Sequence, residues 1–264
     1  MLGSSLDPTL LWLPVVGLAI GVLVTVFGGG GGFFYVPILT LLFRVPTQLA
    51  VATSLVSTIP TVIVGSVEHY RRGNINVQIG VIFGIAGLVG ALLGAYVSNL
   101  VSSDLLQKLF GAYALLLTIP MALTSRKRFN KPDGAATAPR PLTSSRVVMS
   151  TFFGFVSGIM AGLFGTSGTA TIVAGLYILD LPVTMVVGTS VLVVLFNAVS
   201  GSAGHLLTGS FDPVLVLLLG SGAVIGAFLG PWILARINVQ ALEKVYGVLF
   251  TLLVVGFGIA MILK

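Results

Sequence analysis

Residues 26–34 read "VFGGGGGFF" and place five consecutive glycines, residues 28–32, in an apolar stretch where a membrane-spanning helix is expected. Glycine costs roughly 1 kcal/mol relative to alanine in a helix interior, so five in a row should break the helix. We therefore predict that one helix ends before this run and that another begins near Phe33. The rest of the sequence indicates what such a break is for.

Composition identifies an integral membrane protein. The chain has 264 residues, of which 56% are hydrophobic and 8% charged, with a mean hydropathy of +1.12. Charged residues usually make up about 25% of a soluble domain. No segment alternates with the period of two of a membrane β-strand, so we predict an all-α polytopic fold. Residues 1–17 lack the basic start and cleavage pattern of a signal peptide, and 11–27 are expected to be mature structure.

Charge distribution predicts the sidedness. The formal net charge is +6, but basic residues are concentrated in the polar stretch 124–147, which holds Arg126, Lys127, Arg128, Lys131, Arg140 and Arg146. This clustering is typical of a cytoplasmic loop and not of a nucleic-acid-binding patch. The absence of cysteine excludes disulfides and thiolate metal sites. We expect no metal, cofactor or nucleic acid.

The chain matches itself at an offset of 136 residues. Residues 29–111 align with 165–247 without a gap, and Pro46, the Thr53–Ser54 pair and His69 meet Pro182, Thr189–Ser190 and His205. We predict two tandem repeats, 1–123 and 148–264, joined by the basic linker 124–147. Their expected segments are 11–27, 33–43, 47–67, 75–97 and 105–123, and then 148–164, 169–179, 184–205, 213–234 and 239–262.

The second segment of each repeat is short. Eleven helical residues cover about 16 Å, half of a hydrocarbon core of ~30 Å, which predicts half-helices or hairpin arms. If the two repeats are inverted, ten of the thirteen Lys and Arg residues lie in the cytoplasm. If each broken pair is one continuous crossing, giving eight spans in parallel repeats, nine do. We favour the inverted arrangement.

Both repeats break at the same place. Non-helical backbone survives at membrane depth only where protein or a water-filled cavity surrounds it, and matched broken helices point to a transporter's binding site. A helix that starts there offers free N–H groups and about half a positive charge, which suits an anion. The candidate binding residues are Gly29, Gly30, Gly31, Gly32, Gly165, Thr166, Ser167 and Gly168, with the helix residues Thr53, Ser54, Thr189, Ser190 and Asn197.

The other polar residues and the remaining glycines indicate the charge of the substrate and the packing of the helices. No acidic residue falls in the middle of a segment, which favours an anionic or neutral substrate over a cation. His69 and His205 end equivalent helices, where each is either a cap of the helix C-terminus or a proton relay. Glycines at small-xxx-small spacing are expected to allow close helix packing: Gly80, Gly84, Gly90, Gly94, Gly222, Gly226 and Gly230.

An enzymatic alternative comes from Gly165-Thr166-Ser167-Gly168. Together with His205, this GxSG stretch resembles the Ser–His dyad of rhomboid intramembrane proteases. The position matching Ser167 in the first repeat is Gly31, so the stretch reads better as a diverged copy of the glycine break. We expect no enzyme.

Two blocks resemble the signature of a known family. "GGGGGFFYVPILTLLFRVPTQLAVATSL" and its copy from residue 162, "GLFGTSGTATIVAGLYILDLPVTMVVGTSVL", resemble the TauE/SafE family of bacterial membrane proteins, named as sulfite exporters. The family's glycine pattern maps onto residues 29–32 with Pro37, and its GTS block onto Gly188, Thr189 and Ser190. The chain departs from the pattern at Ala52, at Val173 and at Thr166–Ser167.

The resemblance implies a multi-pass transporter of the bacterial or archaeal cytoplasmic membrane. Its expected substrate is a small sulfur oxyanion or organosulfonate, such as sulfite or sulfoacetate, exported by alternating access from a site near the bilayer midplane. A channel or an importer for the same anions is the alternative. The sequence leaves open whether a proton or sodium ion couples to transport, and which oligomer forms.

Overall fold

The computed structural model describes residues 8–27, 32–128, 142–209, 212–234 and 239–264. These ranges contain a short 3-10 helix, Pro8–Trp12, ten α-helices and no strand, which confirms the all-α prediction. The helices are α1 Leu13–Phe27, α2 Gly32–Leu41, α3 Thr47–Arg71, α4 Val77–Leu100, α5 Ser103–Arg128, α6 Ser144–Phe164, α7 Thr169–Ile178, α8 Val183–Leu207, α9 Pro213–Leu234 and α10 Val239–Leu263.

Helix lengths fit a membrane protein. Within the described residues, α3, α4, α6 and α8 are long and apolar enough to cross a bilayer, by length and composition. The two short helices, α2 and α7, have ten residues each. They cover about 15 Å, half of a hydrocarbon core.

Three helices extend four or more residues further than hydropathy predicts, among them α3, which runs to Arg71 and not to residue 67. α6 begins at Ser144 and not at residue 148, so it has 21 residues and is about 31 Å long. α5 runs to Arg128, beyond the predicted end at 123. The reason is that hydropathy marks only the apolar part of a helix, whereas the backbone stays helical where polar side chains reach water.

Glycines bring α4 and α6 into backbone contact. A methyl group added at Gly158 would overlap the carbonyl oxygen of Gly87, and one at Gly90 would overlap that of Phe155. Gly94 lies in the same way against Ile159 of α6. On another face of α4, Gly80 and Gly84 lie against the α8 side chains Leu192 and Phe196. The packing role predicted for these glycines is confirmed.

The pair α1 and α9 packs in the same manner. Added methyl groups at Gly222 and Gly226 would overlap the carbonyl oxygens of Pro14 and Leu18. On the other helix, Gly17 and Gly21 face the backbone of α9. The packing prediction therefore holds for Gly222 and Gly226, whereas the contacts of Gly230 lie outside the described side chains.

Contacts along these helices give their relative directions. α4 and α6 run parallel, because Phe83 faces Gly154 and Ala91 faces Gly162. α3 and α8 run antiparallel, because Gly65 faces Val191 and Leu55 faces Gly201. α5 and α10 are also antiparallel: Gln107 bonds the carbonyl of Met261, and Leu115 faces Gly258. In an inverted duplication, equivalent helices of the two repeats run antiparallel, and the directions of α3 and α8 and of α5 and α10 agree with this. The duplication itself stays a prediction.

The two ends of the bundle can be told apart. At the linker end, residues 71–76, 144–146 and 179–183, Arg146 Nη2 donates to the carbonyl of Leu179 at 2.9 Å. At the opposite end, residues 41–48, 98–103 and 261–264, Gln48 Nε2 donates to Val101 O at 2.8 Å and Lys264 Nζ to Leu41 O at 3.0 Å. Since α7 finishes beside the first turn of α6, the two helices form a hairpin that enters and returns.

Candidate functional site

The second helix break, residues 165–168, has a tight left-handed backbone. Gly165, Ser167 and Gly168 have φ angles of 67°, 61° and 67°. The N–H of Gly165 donates to Ala161 O at 2.7 Å and closes the end of α6. Gly168 precedes α7 without a side-chain cap. The first N–H groups of α7 therefore have no partner within their own helix.

This break contacts the first half of the chain. Ser54 of α3 donates its hydroxyl to Gly165 O at 2.8 Å. A methyl group added at Gly165 would lie 3.0 Å from both Val36 Cγ2 of α2 and Val51 Cα of α3. The predicted site residues Ser54 and Gly165 are thus brought together, at a junction between the two halves.

Asn197 connects α8 to the break. Its Nδ2 donates to Ser157 Oγ of α6 at 3.3 Å and to Ser167 O at 3.4 Å, long distances for hydrogen bonds. Ser157 in turn donates to Gly154 O at 2.8 Å. The sequence analysis did not select Ser157. Its counterpart in the first half, at the offset of 136 residues, is Gly21, and this change from glycine to a polar residue eight positions before Gly165 was the available signal.

Several polar atoms around the break are buried and unsatisfied. Among the described residues, the hydroxyls of Thr166, Ser167 and Thr169 and the Oδ1 of Asn197 have no hydrogen-bond partner. Thr166 is 4% exposed, and Ser167 and Asn197 are fully buried. An unmet hydrogen bond in a buried group costs about 1–3 kcal/mol. Four such groups beside one helix start make this the part of the described structure best suited to a polar ligand.

Among the residues that the structure describes, the positive potential at the break comes from the backbone and not from side chains. The basic side chains that the structure describes all lie near helix ends: Arg44, Arg71, Arg72, Lys108, Arg146 and Lys264. The N-terminus of α7 carries about half a positive charge. The electrostatics of the break thus favour an anion held by dipoles.

Four aromatic rings form a layer next to the break. Phe164, the last residue of α6, stacks on Tyr113 at 5.0 Å and meets Phe110 edge-on at 6.0 Å. Phe110 also contacts Phe33 at 5.5 Å. The hydroxyl of Tyr113 lies near that of Thr166, but the two do not meet hydrogen-bond geometry, and both are unpartnered in the described structure. Through this aromatic layer, the start of α2 and the end of α6 contact the same α5 side chain, that of Phe110.

Comparison with known proteins identifies the family. The family described as "Sulfite exporter TauE/SafE" matches residues 13–257. The chain belongs to the TauE/SafE family. It is 33% identical to the probable membrane transporter protein YdhB of Bacillus subtilis over 212 residues, covering 80% of this chain and 84% of that protein. It is 29% identical to YunE, another probable membrane transporter of B. subtilis, over 257 residues, with 91% and 94% covered.

The relatives of this chain include an archaeal protein. A probable membrane transporter protein of Methanocaldococcus jannaschii is 31% identical over 206 residues, with 75% of this chain and 73% of that protein covered. No solved structure matches. Together with the apolar helices, these findings make the chain a multi-pass transporter of the cytoplasmic membrane and not an enzyme.

Some residues predicted for the TauE/SafE site lie elsewhere. Thr189 accepts a hydrogen bond from the Asn76 N–H at 2.9 Å, at the start of α4, and Ser190 donates to Val187 O of its own helix at 2.8 Å. Thr53 is fully buried and its hydroxyl has no partner among the described residues. Gly32 is the first residue of α2. The predictions for Gly29, Gly30 and Gly31 fall outside the described residues.

The two histidines have different surroundings. His205 is fully buried, and its Nε2 lies 2.9 Å from Gly162 O. Because a carbonyl only accepts, Nε2 must carry the proton. His205 therefore bonds α6 and does not cap α8, whereas His69 is half-buried with no partner for Nδ1 in the described structure. The protease alternative is disfavoured by the family and by the relatives, which are named as membrane transporters.

Proposed function

We propose that this TauE/SafE protein is a secondary transporter that exports a small sulfur-containing anion, either sulfite or an organosulfonate such as sulfoacetate. One observation carries the proposal: the unpartnered, buried hydroxyls of Thr166 and Ser167 lie at the start of α7. The name of the family, which describes sulfite exporters, supports the choice of substrate.

The break supplies what a sulfur oxyanion needs. Hydroxyls of Thr166, Ser167 and Thr169 donate to its oxygens together with the first N–H groups of α7. Hydrogen bonds to an ionised acceptor are roughly twice as strong as neutral ones. Asn197 Nδ2, held only by long contacts to Ser157 and Ser167, can turn to the same anion.

Alternating access follows from how the helices pair. The glycine contacts hold α4 against α6 and α1 against α9, so each pair moves as one body. Each pair joins a helix of the first half to one of the second. Gly165, at the end of α6, meets Val36 of α2 and Val51 of α3, so an anion at the break would lie where the α4–α6 pair contacts two helices outside it. The antiparallel directions of α3 and α8 support the inverted duplication on which such mechanisms are built.

Burial at the break supports a carrier over the alternative of a channel. Ser167 and Asn197 are fully buried, so an anion reaches them only after the helices part. A carrier of this kind saturates with substrate and moves it in either direction according to the gradients. A proton or sodium ion is the proposed coupling ion; His205 and His69 are the candidate proton relays.

Transport in proteoliposomes tests the proposal. Sulfite loaded inside vesicles should leave through the purified protein with saturable kinetics. Asn197→Asp puts a carboxylate of almost unchanged shape beside Ser167 and should reduce flux at least about tenfold, because like charges within the membrane repel strongly.

The matched control is Asn99→Asp, near the end of α4, where Asn99 Nδ2 donates to Ala95 O at 2.7 Å. We expect this variant to keep most of the flux. Equal flux in the two variants would remove the second break from the transport path, and no sulfite or sulfoacetate flux in the unaltered protein would refute the substrate.

A further inference from the structure

We infer that the site at the second break selects monovalent oxyanions and discriminates against divalent ones. This inference rests on the proposed function, because it concerns the charge of the anion that the break accepts. A sulfonate or hydrogensulfite carries one negative charge, whereas sulfate and fully ionised sulfite carry two. In this view the charge of an anion, more than its shape, determines whether the protein binds and transports it.

The first step is that no cationic side chain among the described residues lies at the break. Apart from Lys108, the Lys and Arg residues whose side chains the structure describes lie at the linker end or the opposite end of the bundle, whereas Ser157 and Asn197 lie near the middle of α6 and α8. Lys108, which reaches furthest into its helix, is exposed. Within the part of the chain that the structure describes, compensation for a bound anion thus comes from the half charge of α7 and from neutral donors.

The second step is the cost of burying charge. Moving an ion from water into a medium of low dielectric constant is unfavourable even after relaxation, and in the Born description the cost rises with the square of the charge. A dianion is therefore about four times as costly to bury as a monoanion of the same size, while its attraction to the α7 dipole only doubles. Since no described residue supplies a formal positive charge to balance it, the dianion is disfavoured.

The third step is the chemistry of the available groups. The hydroxyls of Thr166, Ser167 and Thr169 each donate and accept, and Asn197 carries an amide donor and an unpartnered oxygen. Such groups can hold both the anionic oxygens and the O–H of hydrogensulfite. A site built on Lys or Arg only donates, and so would favour the fully ionised form.

Methanesulfonate and sulfate provide the test, because they differ chiefly in a methyl group in place of one charged oxygen. Their dissociation constants for the purified protein are measured by thermal shift, in which a ligand of the native state raises Tm by mass action. We expect methanesulfonate to bind at least about tenfold more tightly than sulfate. Sulfate binding as tightly as methanesulfonate, or more tightly, would overturn the inference.

Sulfite provides a second test of the inference, because it changes from a monoanion to a dianion near neutral pH. Its affinity should fall as pH rises through that ionisation, whereas that of methanesulfonate, measured at the same pH values, should stay constant. The described titratable groups nearest the break are His205, which bonds Gly162 O, and Tyr113, whose hydroxyl lies near Thr166, and the methanesulfonate series corrects for their titration. A sulfite affinity that rises with pH would contradict the inference.

Site variants separate this inference from the proposed function. Ser167→Ala and Asn197→Ala should weaken methanesulfonate binding, and Ser221→Ala, whose exposed hydroxyl donates to Leu218 O at 3.0 Å, should not. If all three bind alike, the break is not the site and the proposed function fails. If only the first two weaken binding but sulfate binds as well as methanesulfonate, the site stands and the charge selectivity fails.

Discussion

His205 Nε2 lies 2.9 Å from the carbonyl oxygen of Gly162, so a side chain of α8 bonds the last turn of α6 three residues before that helix breaks. The two residues are 43 positions apart in the chain and both are buried. A carbonyl this close to the end of α6 has lost its usual helical partner. The imidazole therefore stabilises the helix end from which the break begins.

Substitution of His205 separates its structural role from a role in proton coupling. His205→Gln keeps an amide N–H near the position of Nε2 and should retain most of the Tm. His205→Ala leaves Gly162 O unsatisfied and should destabilise the protein by about 1–3 kcal/mol, measured as a loss of Tm in detergent.

Transport then gives the second readout. If His205 carries the coupling proton, His205→Gln folds but no longer drives sulfite flux with an imposed pH gradient. A Gln variant that responds to the gradient like the unaltered protein would leave His205 with the structural role alone.

The α4–α6 contact should tolerate no added methyl group. Gly158→Ala places a Cβ against the carbonyl oxygen of Gly87, and backbone on both sides cannot yield. We expect destabilisation of about 1–3 kcal/mol or more. Gly256→Ala on α10 is the control, because no atom lies within 4 Å of its added methyl group, and its Tm should hold or rise. Equal stability of the two variants would contradict the backbone contact.

The lengths of the apolar runs and the spacing of the glycines predicted most of the fold. Apolar runs of bilayer length predicted the long helices, and the glycine spacing predicted the contacts of Gly90 and Gly94. The polar ends of helices, such as the start of α6 at Ser144, were missed because hydropathy detects only apolar residues. The entering and returning path of α6 and α7 was one of two alternatives, since Lys and Arg counts hardly separate them.

The candidate site was predictable only in part. Glycine and hydroxyl residues interrupting an apolar run pointed to residues 165–168, and an amide in an apolar helix pointed to Asn197. Ser157 and Tyr113 were missed because their role depends on contacts between helices that no local pattern specifies. For the same reason Thr189 was included, although its hydroxyl fixes the Asn76 N–H at the start of α4.

Position 168 should require glycine for two reasons: the left-handed backbone conformation, and the lack of room for a Cβ atom. Its φ is 67°, and an added methyl group would overlap the carbonyl oxygen of Ser157. Gly73 has a φ of 69° with open space around it, so Gly73→Ala measures the conformational cost alone, about 1–2 kcal/mol. We expect Gly168→Ala to lower Tm further and to abolish sulfite flux. Flux of Gly168→Ala equal to that of Gly73→Ala would show that the start of α7 does not need this contact.

Labelling of introduced cysteines tests the hairpin of α6 and α7. The chain has no cysteine, so each single substitution provides one thiol. Ser144→Cys and Asp180→Cys lie at exposed positions of the linker end. Because α7 returns to the first turn of α6, both should react with a membrane-impermeant maleimide from the same side, the cytoplasmic side by the positive-inside rule.

Ser102→Cys and Thr208→Cys occupy exposed positions beyond the C-terminal ends of α4 and α8, helices that run parallel because Gly84 faces Phe196 and Gly204 faces Ala95. Both should react only from the other side of the membrane. A continuous crossing through the second break would put Ser144 and Asp180 on different sides. Labelling of Asp180→Cys together with Thr208→Cys would thus refute the hairpin and restore the eight-span, parallel alternative.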